Sequence, residues 1–574
     1  MIQYELNCNF PNQHYIQFKA IFPVNESVTI LKLSVWRPGR YELGNFAKNI
    51  RNFRVYSSQN KSIEFKKIDK SSWEIQSENE SEIFIEYEYF ASELNAGSSF
   101  LDETQLYVNP VNCIFYSDNS KDEEYCLKLN IPSNWEIATS LKIENSSLFA
   151  TNYEELADSP FICSHYLAKE TYEVEQIKFH IWFNKQKFID WDRLKKDFVR
   201  FTQKQIQAFG HFPANEFHFL IHSLPYAAYH GVEHLKSTVI TLGPSYDIFG
   251  SQYNELLGVS SHELYHVWNV KSIRPKEMYP YNFEKENYSS LGYVYEGVTT
   301  YMGDLYLLKS GVFNLSTYLN ELNKQLQKHY DNPGRYNYSV AQSSLDTWLD
   351  GYVQGAPGRK VSIYTEGCLL AFVADIMIRK AAQNKYGIEE VMKRLYVDIA
   401  QQEKGYEQAD YKLILEDVSG LSFDDYFENY INGTRPYDEL VMNALNYLGL
   451  ELVQKPSSLY SESKLGFKVL SKGKNFVVQA IHPQSPAALG GLSLGDEITA
   501  VNDIRLNGDL NQWLQYFDSE QKSLTISREG RMMNIQLTGS DNCYYFDYKI
   551  LLSNLITGDQ MNNLRSWGEE GIDF

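Results

Sequence analysis

Gly258-Val259-Ser260-Ser261-His262-Glu263-Leu264-Tyr265-His266-Val267-Trp268 is the stretch whose reading decides the fold. It contains His-Glu-x-x-His. On an α-helix, residues four apart lie about 40° apart around the axis and about 6 Å along it, so two imidazoles at that spacing reach one metal ion. Glu263 falls about 100° round from His262, beside such an ion instead of on it. There it can take a proton from water whose pKa the metal has lowered, the arrangement of a zinc metallopeptidase helix. Histidine is scarce, 12 in 574 residues, so the pattern is rare by chance.

Two imidazoles do not complete a catalytic zinc site, which takes three protein ligands and leaves one position open. Downstream, Glu277, Glu284 and Glu286 lie among lysines and loop formers and read as solvated charge. Glu296 instead interrupts the apolar and aromatic run Leu291-Gly292-Tyr293-Val294-Tyr295-Glu296-Gly297-Val298. A carboxylate buried there needs a cation or several donors, which makes Glu296 the expected third ligand of one zinc per chain. Thr300, one turn on, is a candidate for orienting a ligand.

A chain of this length exceeds one core, and three units are expected: residues 1–168, 169–444 and 445–574. Residues 1–168 carry period-two runs such as Ile16–Phe22 and Ile83–Phe90, separated by turn clusters, and read as an antiparallel β-sandwich-like domain. From about 170 two strand-like runs, Ile177–Phe183 and Glu216–His222, bracket a helical stretch, and a mostly helical region follows over about 250–435. Helices are expected over 190–209, from near Asn254 to Asn269 or Val270, and over 291–310, 315–330, 363–386, 388–402 and 409–417. Past 445, strand-like runs return, and one short helical pattern closes the tail. The fold class expected is multidomain α+β.

The formal net charge of −20 disfavours a phosphate backbone as partner, so nucleic-acid binding is not expected. Six scattered cysteines with no Cys-x-x-Cys indicate neither a disulfide framework nor a thiolate metal site. Neither a secretory signal nor a long apolar span is readable, so the expectation is a cytoplasmic protein without a membrane partner.

The stretch from His262 to Pro275, followed by Tyr295-Glu296-Gly297-Val298-Thr299-Thr300-Tyr301, resembles the glycyl aminopeptidase family of zinc metallopeptidases. The likeness extends to Trp36-Arg37-Pro38-Gly39-Arg40-Tyr41, Phe46-Ala47-Lys48-Asn49 and Tyr153-Glu154-Glu155-Leu156-Ala157-Asp158-Ser159-Pro160-Phe161. It implies a thermolysin-like gluzincin catalytic domain with Glu296 as third ligand, and a preference for N-terminal glycine or alanine. It implies that Gly231-Val232-Glu233-His234 lies along the substrate, with Glu233 gripping its α-ammonium. It also implies that Tyr364, in Tyr364-Thr365-Glu366-Gly367, donates to the oxyanion, although Glu366 stands where the family usually has Lys. Tyr226, Tyr229, Tyr293 and Tyr295 are candidates for narrowing the first-residue pocket.

Residues 445–540 are similar to a PDZ domain. Leu465-Gly466-Phe467 resembles its peptide-carboxylate loop, which implies a C-terminal peptide as a further ligand. The reaction expected is aminopeptidase cleavage of peptides with a free N-terminus. The competing readings are a zinc endopeptidase on the same fold and a non-catalytic PDZ-type peptide-binding protein.

Overall fold

The computed structural model describes residues 1–353, 355–518 and 521–572. It comprises two compact units. One contains Met1–Glu321, Asn332–Tyr447 and the C-terminal segment from Asp559; the other contains Leu322–Asp331 and Leu448–Gly558.

Alternating side chains build the N-terminal part of the first unit. In Tyr15–Pro23, Ile16, Phe18, Ala20 and Phe22 point inward; Ile83, Ile85, Tyr87 and Tyr89 do the same in Glu82–Phe90. These strands lie in a seven-stranded sheet ordered Lys142–Glu144, Ser147–Ala150, Tyr125–Asn130, Ile2–Asn7, Tyr15–Pro23, Glu82–Phe90, Ile50–Ser57. Pairing is antiparallel except where Ile2–Asn7 runs parallel to Tyr125–Asn130. A four-stranded and a three-stranded sheet share its apolar core through Leu106, Phe161, Leu31 and Trp73.

The catalytic part opens with a five-stranded sheet ordered Leu167–Val174, Ile177–Asn184, Glu216–Ser223, Ser237–Gly243, Ala228–Glu233. The inner strands are parallel, while the edge strand Ala228–Glu233 runs antiparallel to its neighbour. Helix Trp191–Phe209 is N-capped by Asp190 and closed by left-handed Gly210.

Helix Tyr253–Tyr265 is shorter than its sequence pattern suggests. His266 caps it, and bonds of mixed span from Val267 to Ile273 replace regular α-helix. Residues 291–310 do not form one α-helix either. A π-helical turn, Tyr293–Val298, precedes the α-helix Thr299–Lys309, and the widened turn carries Glu296.

The tail forms the short helix its pattern suggests, and from Asp559 it belongs to the first unit. Helix Gly558–Gly568 buries Trp567, whose Nε1 donates to the Tyr301 hydroxyl at 2.9 Å. Tyr301 in turn donates to Asp375, which pairs with Arg379 at 3.0 Å. Burial of that indole and satisfaction of its N–H account for the last segment belonging with the catalytic unit.

In the second unit, strands Phe467–Lys472, Asn475–Ile481, Glu497–Val501, Lys522–Arg528 and Arg531–Leu537 enclose a core with helix Leu510–Tyr516. No helix among the described residues is long and apolar enough to cross a membrane.

Candidate active site

His262 and His266 project from the last turn of helix Tyr253–Tyr265, and their Nε2 atoms are 3.0 Å apart. Glu296 Oε2 lies 3.8 Å from His262 Nε2 and 3.4 Å from His266 Nε2. A point equidistant from these three atoms is about 2.0 Å from each, the usual zinc–nitrogen and zinc–oxygen distance. The tautomer suits ligation as well. His266 Nδ1 donates to Asn269 O at 2.6 Å, which leaves the Nε2 lone pair free. Asn269 is fixed in turn by bonds from its Nδ2 to Val294 O and Thr299 Oγ1. Thr299 thus braces the residue that bonds His266 Nδ1, while Thr300 Oγ1 donates to Glu296 O at 2.8 Å.

Small residues let these elements approach. A β-carbon on Gly303 would lie 2.9 Å from His262 Cα, so this glycine brings the helix Thr299–Lys309 against the His262 backbone. Ser261 Oγ donates to Gly303 O at 2.6 Å across the same contact.

Glu263 and Glu233 face the same centre, and their carboxylates lie within 4.8 Å of a ring nitrogen of His266. Thr238 Oγ1 donates to Glu263 at 3.4 Å. Gly231 lies directly beneath this side chain, since a β-carbon there would be 2.0 Å from Glu263 Oε1. Glu233 is buried at the end of the edge strand, and its Oε1 has no hydrogen-bond partner. Burial raises the pKa of both carboxyls, and Glu296 adds repulsion. Against its own burial, His266 is pushed up to about 10 by Glu296 and Glu233. Three buried carboxylates around one point call for positive charge there.

Val232 is buried beside Glu233, and Gly39 of the N-terminal domain closes over both: a β-carbon on Gly39 would lie 2.6 Å from Glu233 Oε2. Tyr364 sits in the first turn of helix Ile363–Ala381, with its hydroxyl 3.3 Å from that of Tyr352. Glu366, two residues further on, is buried and accepts from the Tyr437 hydroxyl. Of the four tyrosines considered for the first pocket, Tyr226 and Tyr229 are more than half exposed. Tyr293 turns its hydroxyl to Gln408, and Tyr295 packs on Tyr41 at 4.9 Å between ring centroids.

Two groups stand in the sequence only within resembling stretches, with no role assigned to them. Asp158 accepts from Lys271 Nζ at 2.7 Å and lies 3.0 Å from His234 Nδ1, tying the end of the edge strand to the segment after the metal helix. Tyr41 is buried with an unpartnered hydroxyl. Neither carries a local signal; only tertiary contact reveals them.

A further set, His180, Glu216 and His218, has its ligand-type atoms within 4.8 Å. Here the tautomer opposes a metal. Trp182 Nε1 donates to His218 Nδ1 at 3.2 Å, so the proton sits on Nε2, which points at Glu216. In the second unit, Leu465 and Phe467 are core residues, and Gly466 (φ 72°) is covered by the Tyr544 ring.

Family models match the chain in three places: Peptidase M61 N-terminal domain over residues 3–165, M61 glycyl aminopeptidase over 255–370, and PDZ domain over 477–528. The N-terminal and catalytic parts of the chain thus match the two models of the M61 glycyl aminopeptidase family. The chain is a metallo-aminopeptidase with a PDZ domain. An aminopeptidase N family protein from Idiomarina loihiensis shares this fold with a TM-score of 0.91 at 24% identity, covering 99% of this chain and 100% of that one. An M1 zinc metallopeptidase from Deinococcus radiodurans aligns at 11% identity with a TM-score of 0.47, covering 76% and 94%. No curated protein sequence matches the chain. The β-rich N-terminal domain, helical middle and PDZ domain agree with the fold class expected from sequence.

Proposed function

We propose that this chain is a zinc aminopeptidase that removes one residue at a time, glycine in preference, from peptides with a free N-terminus. His262, His266 and Glu296 hold the ion, which when bound supplies Lewis acidity toward the scissile carbonyl and lowers the pKa of water. Glu263 takes the proton of the attacking water and passes it to the departing amine. The Tyr364 hydroxyl donates to the oxygen on which charge develops, with Tyr352 beside it to hold its direction. The edge strand Ala228–Glu233 offers free backbone groups for an extended substrate.

One observation carries the choice of exopeptidase: Glu233 Oε1 is buried without a donor, beside the base and the ligands. A substrate ammonium satisfies it and fixes the cut one residue in. A glycine preference is supported by the Gly39 turn and Tyr41, which crowd the space around Glu233.

The test compares glycyl peptides with their N-acetylated forms, and glycyl with leucyl peptides. Acetylation should abolish cleavage, and kcat/KM should favour glycine at least tenfold. Equal cleavage of free and acetylated peptides would remove Glu233 from its role and favour the endopeptidase reading.

A further inference from the structure

Arg37 is 5% exposed, yet among the described residues its guanidinium pairs with no carboxylate and its Nη1 has no hydrogen-bond partner. A buried, unpaired guanidinium costs several kcal/mol. It is kept in place by a built cradle. The guanidinium lies on the open face of Gly97, where a β-carbon would come within 1.8 Å of Arg37 Cζ. Asn95 Oδ1 fixes that loop by accepting from Gly97 N at 3.0 Å and Ser98 N at 2.9 Å.

Arg37 lines a cavity of the N-terminal domain with about 810 Å³ of empty space including its mouth, shared with Arg40, Glu42, Glu93 and Asn112. Arg40 and Glu42 neutralise one another. Asn112 spends its Nδ2 on Gly97 O at 3.0 Å, and its Oδ1, 1% exposed as a residue, has no donor. An unsatisfied donor and an unsatisfied acceptor thus flank one glycine without satisfying each other. Glu93 adds an acceptor on the same wall, bonded only by Ser98 Oγ at 3.3 Å.

We infer that this cavity binds a free α-amino acid, with its carboxylate on Arg37 and its ammonium toward Asn112 Oδ1 and Glu93. A simple oxyanion would satisfy Arg37 but set negative charge against those acceptors. An amine alone would leave the guanidinium unpaired. The zwitterion answers both. Gly39, two residues on, abuts Glu233, and Arg37 lies near enough to that carboxyl to interact with it electrostatically.

The test is equilibrium dialysis of radiolabelled glycine against the full chain. Wild type should bind two glycines, one lost in Glu233→Gln and the other in Arg37→Met. Arg37→Met should keep or raise its Tm, because it removes an unpaired buried charge. Arg37→Lys retains the charge without the fork and should weaken that site at least tenfold. Acetate, phosphate and methylamine should each displace this glycine at least tenfold less well than unlabelled glycine. Undiminished binding in both Arg37 variants overturns the proposal, whatever Glu233→Gln does. Acetate or phosphate competing as well as glycine overturns it in favour of a plain anion site.

Discussion

Gly297 and Gly367 face each other where two helical segments cross, so closely that a β-carbon on Gly297 would lie 2.3 Å from Gly367 Cα. The reverse substitution would meet Gly297 Cα at 2.6 Å. This crossing sets the π-helical turn bearing Glu296 against the first turns of the helix bearing Tyr364. Gly297→Ala and Gly367→Ala should each cost about 1–3 kcal/mol in urea unfolding. Both should lower kcat as the carboxylate and phenol move apart. An alanine variant with unchanged Tm and kcat would show that the crossing has slack.

Gly231 makes a comparable contact with the base. Gly231→Ala would push Glu263 aside, and a displacement of about 1 Å costs on the order of 10²-fold in rate. Glu263→Gln should lose about 10²–10⁴-fold in kcat. Both variants should retain metal and Tm. Normal turnover of glycyl peptides by Glu263→Gln would exclude it as the base.

Asp158 is the counter-charge for Lys271, which is fully buried. Asp158→Asn leaves that ammonium uncompensated and should destabilise by about 3–5 kcal/mol. Adding Lys271→Met to it should restore part of the loss, so that the double variant is more stable than Asp158→Asn alone. Additive losses in a double-mutant cycle would mean the two groups are not coupled.

His222 is buried against Tyr107 at 4.7 Å between ring centroids, and burial holds its pKa down to about 3. Its unfolded value is about 6.5, so between these limits the unfolded chain binds the extra proton. Its contribution to stability is therefore complete above about pH 6.5 and is lost as pH falls toward 3, by roughly 3 kcal/mol at pH 4. The difference in unfolding free energy between wild type and His222→Asn should shift by that amount between pH 7 and pH 4. A pH-independent difference would contradict the assignment.

Much of the site could be read locally. His262, Glu263 and His266 belong to one helix, where spacing alone sets direction, and Glu296 betrays itself as a charge inside an apolar run. The β-rich and helical regions followed from changes of period, and the PDZ domain from resemblance. Contacts made across the fold left no such trace. Asp158 stands 113 residues from Lys271, and Arg37 reads as one more loop cation until Gly97 is seen beneath it. The π-turn at Glu296, which packs against Gly367, and the early end of helix Tyr253–Tyr265 leave no mark in local propensity. Trp567 gives no local sign of burial because its partner, Tyr301, lies 266 positions earlier.

The most direct measurement is anomalous diffraction at the zinc edge from crystals of the purified chain. The account predicts a single peak about 2.0–2.2 Å from His262 Nε2, His266 Nε2 and a Glu296 oxygen. A peak at His180, Glu216 and His218 instead, or one at the His262 pair with Glu296 turned away, would contradict it.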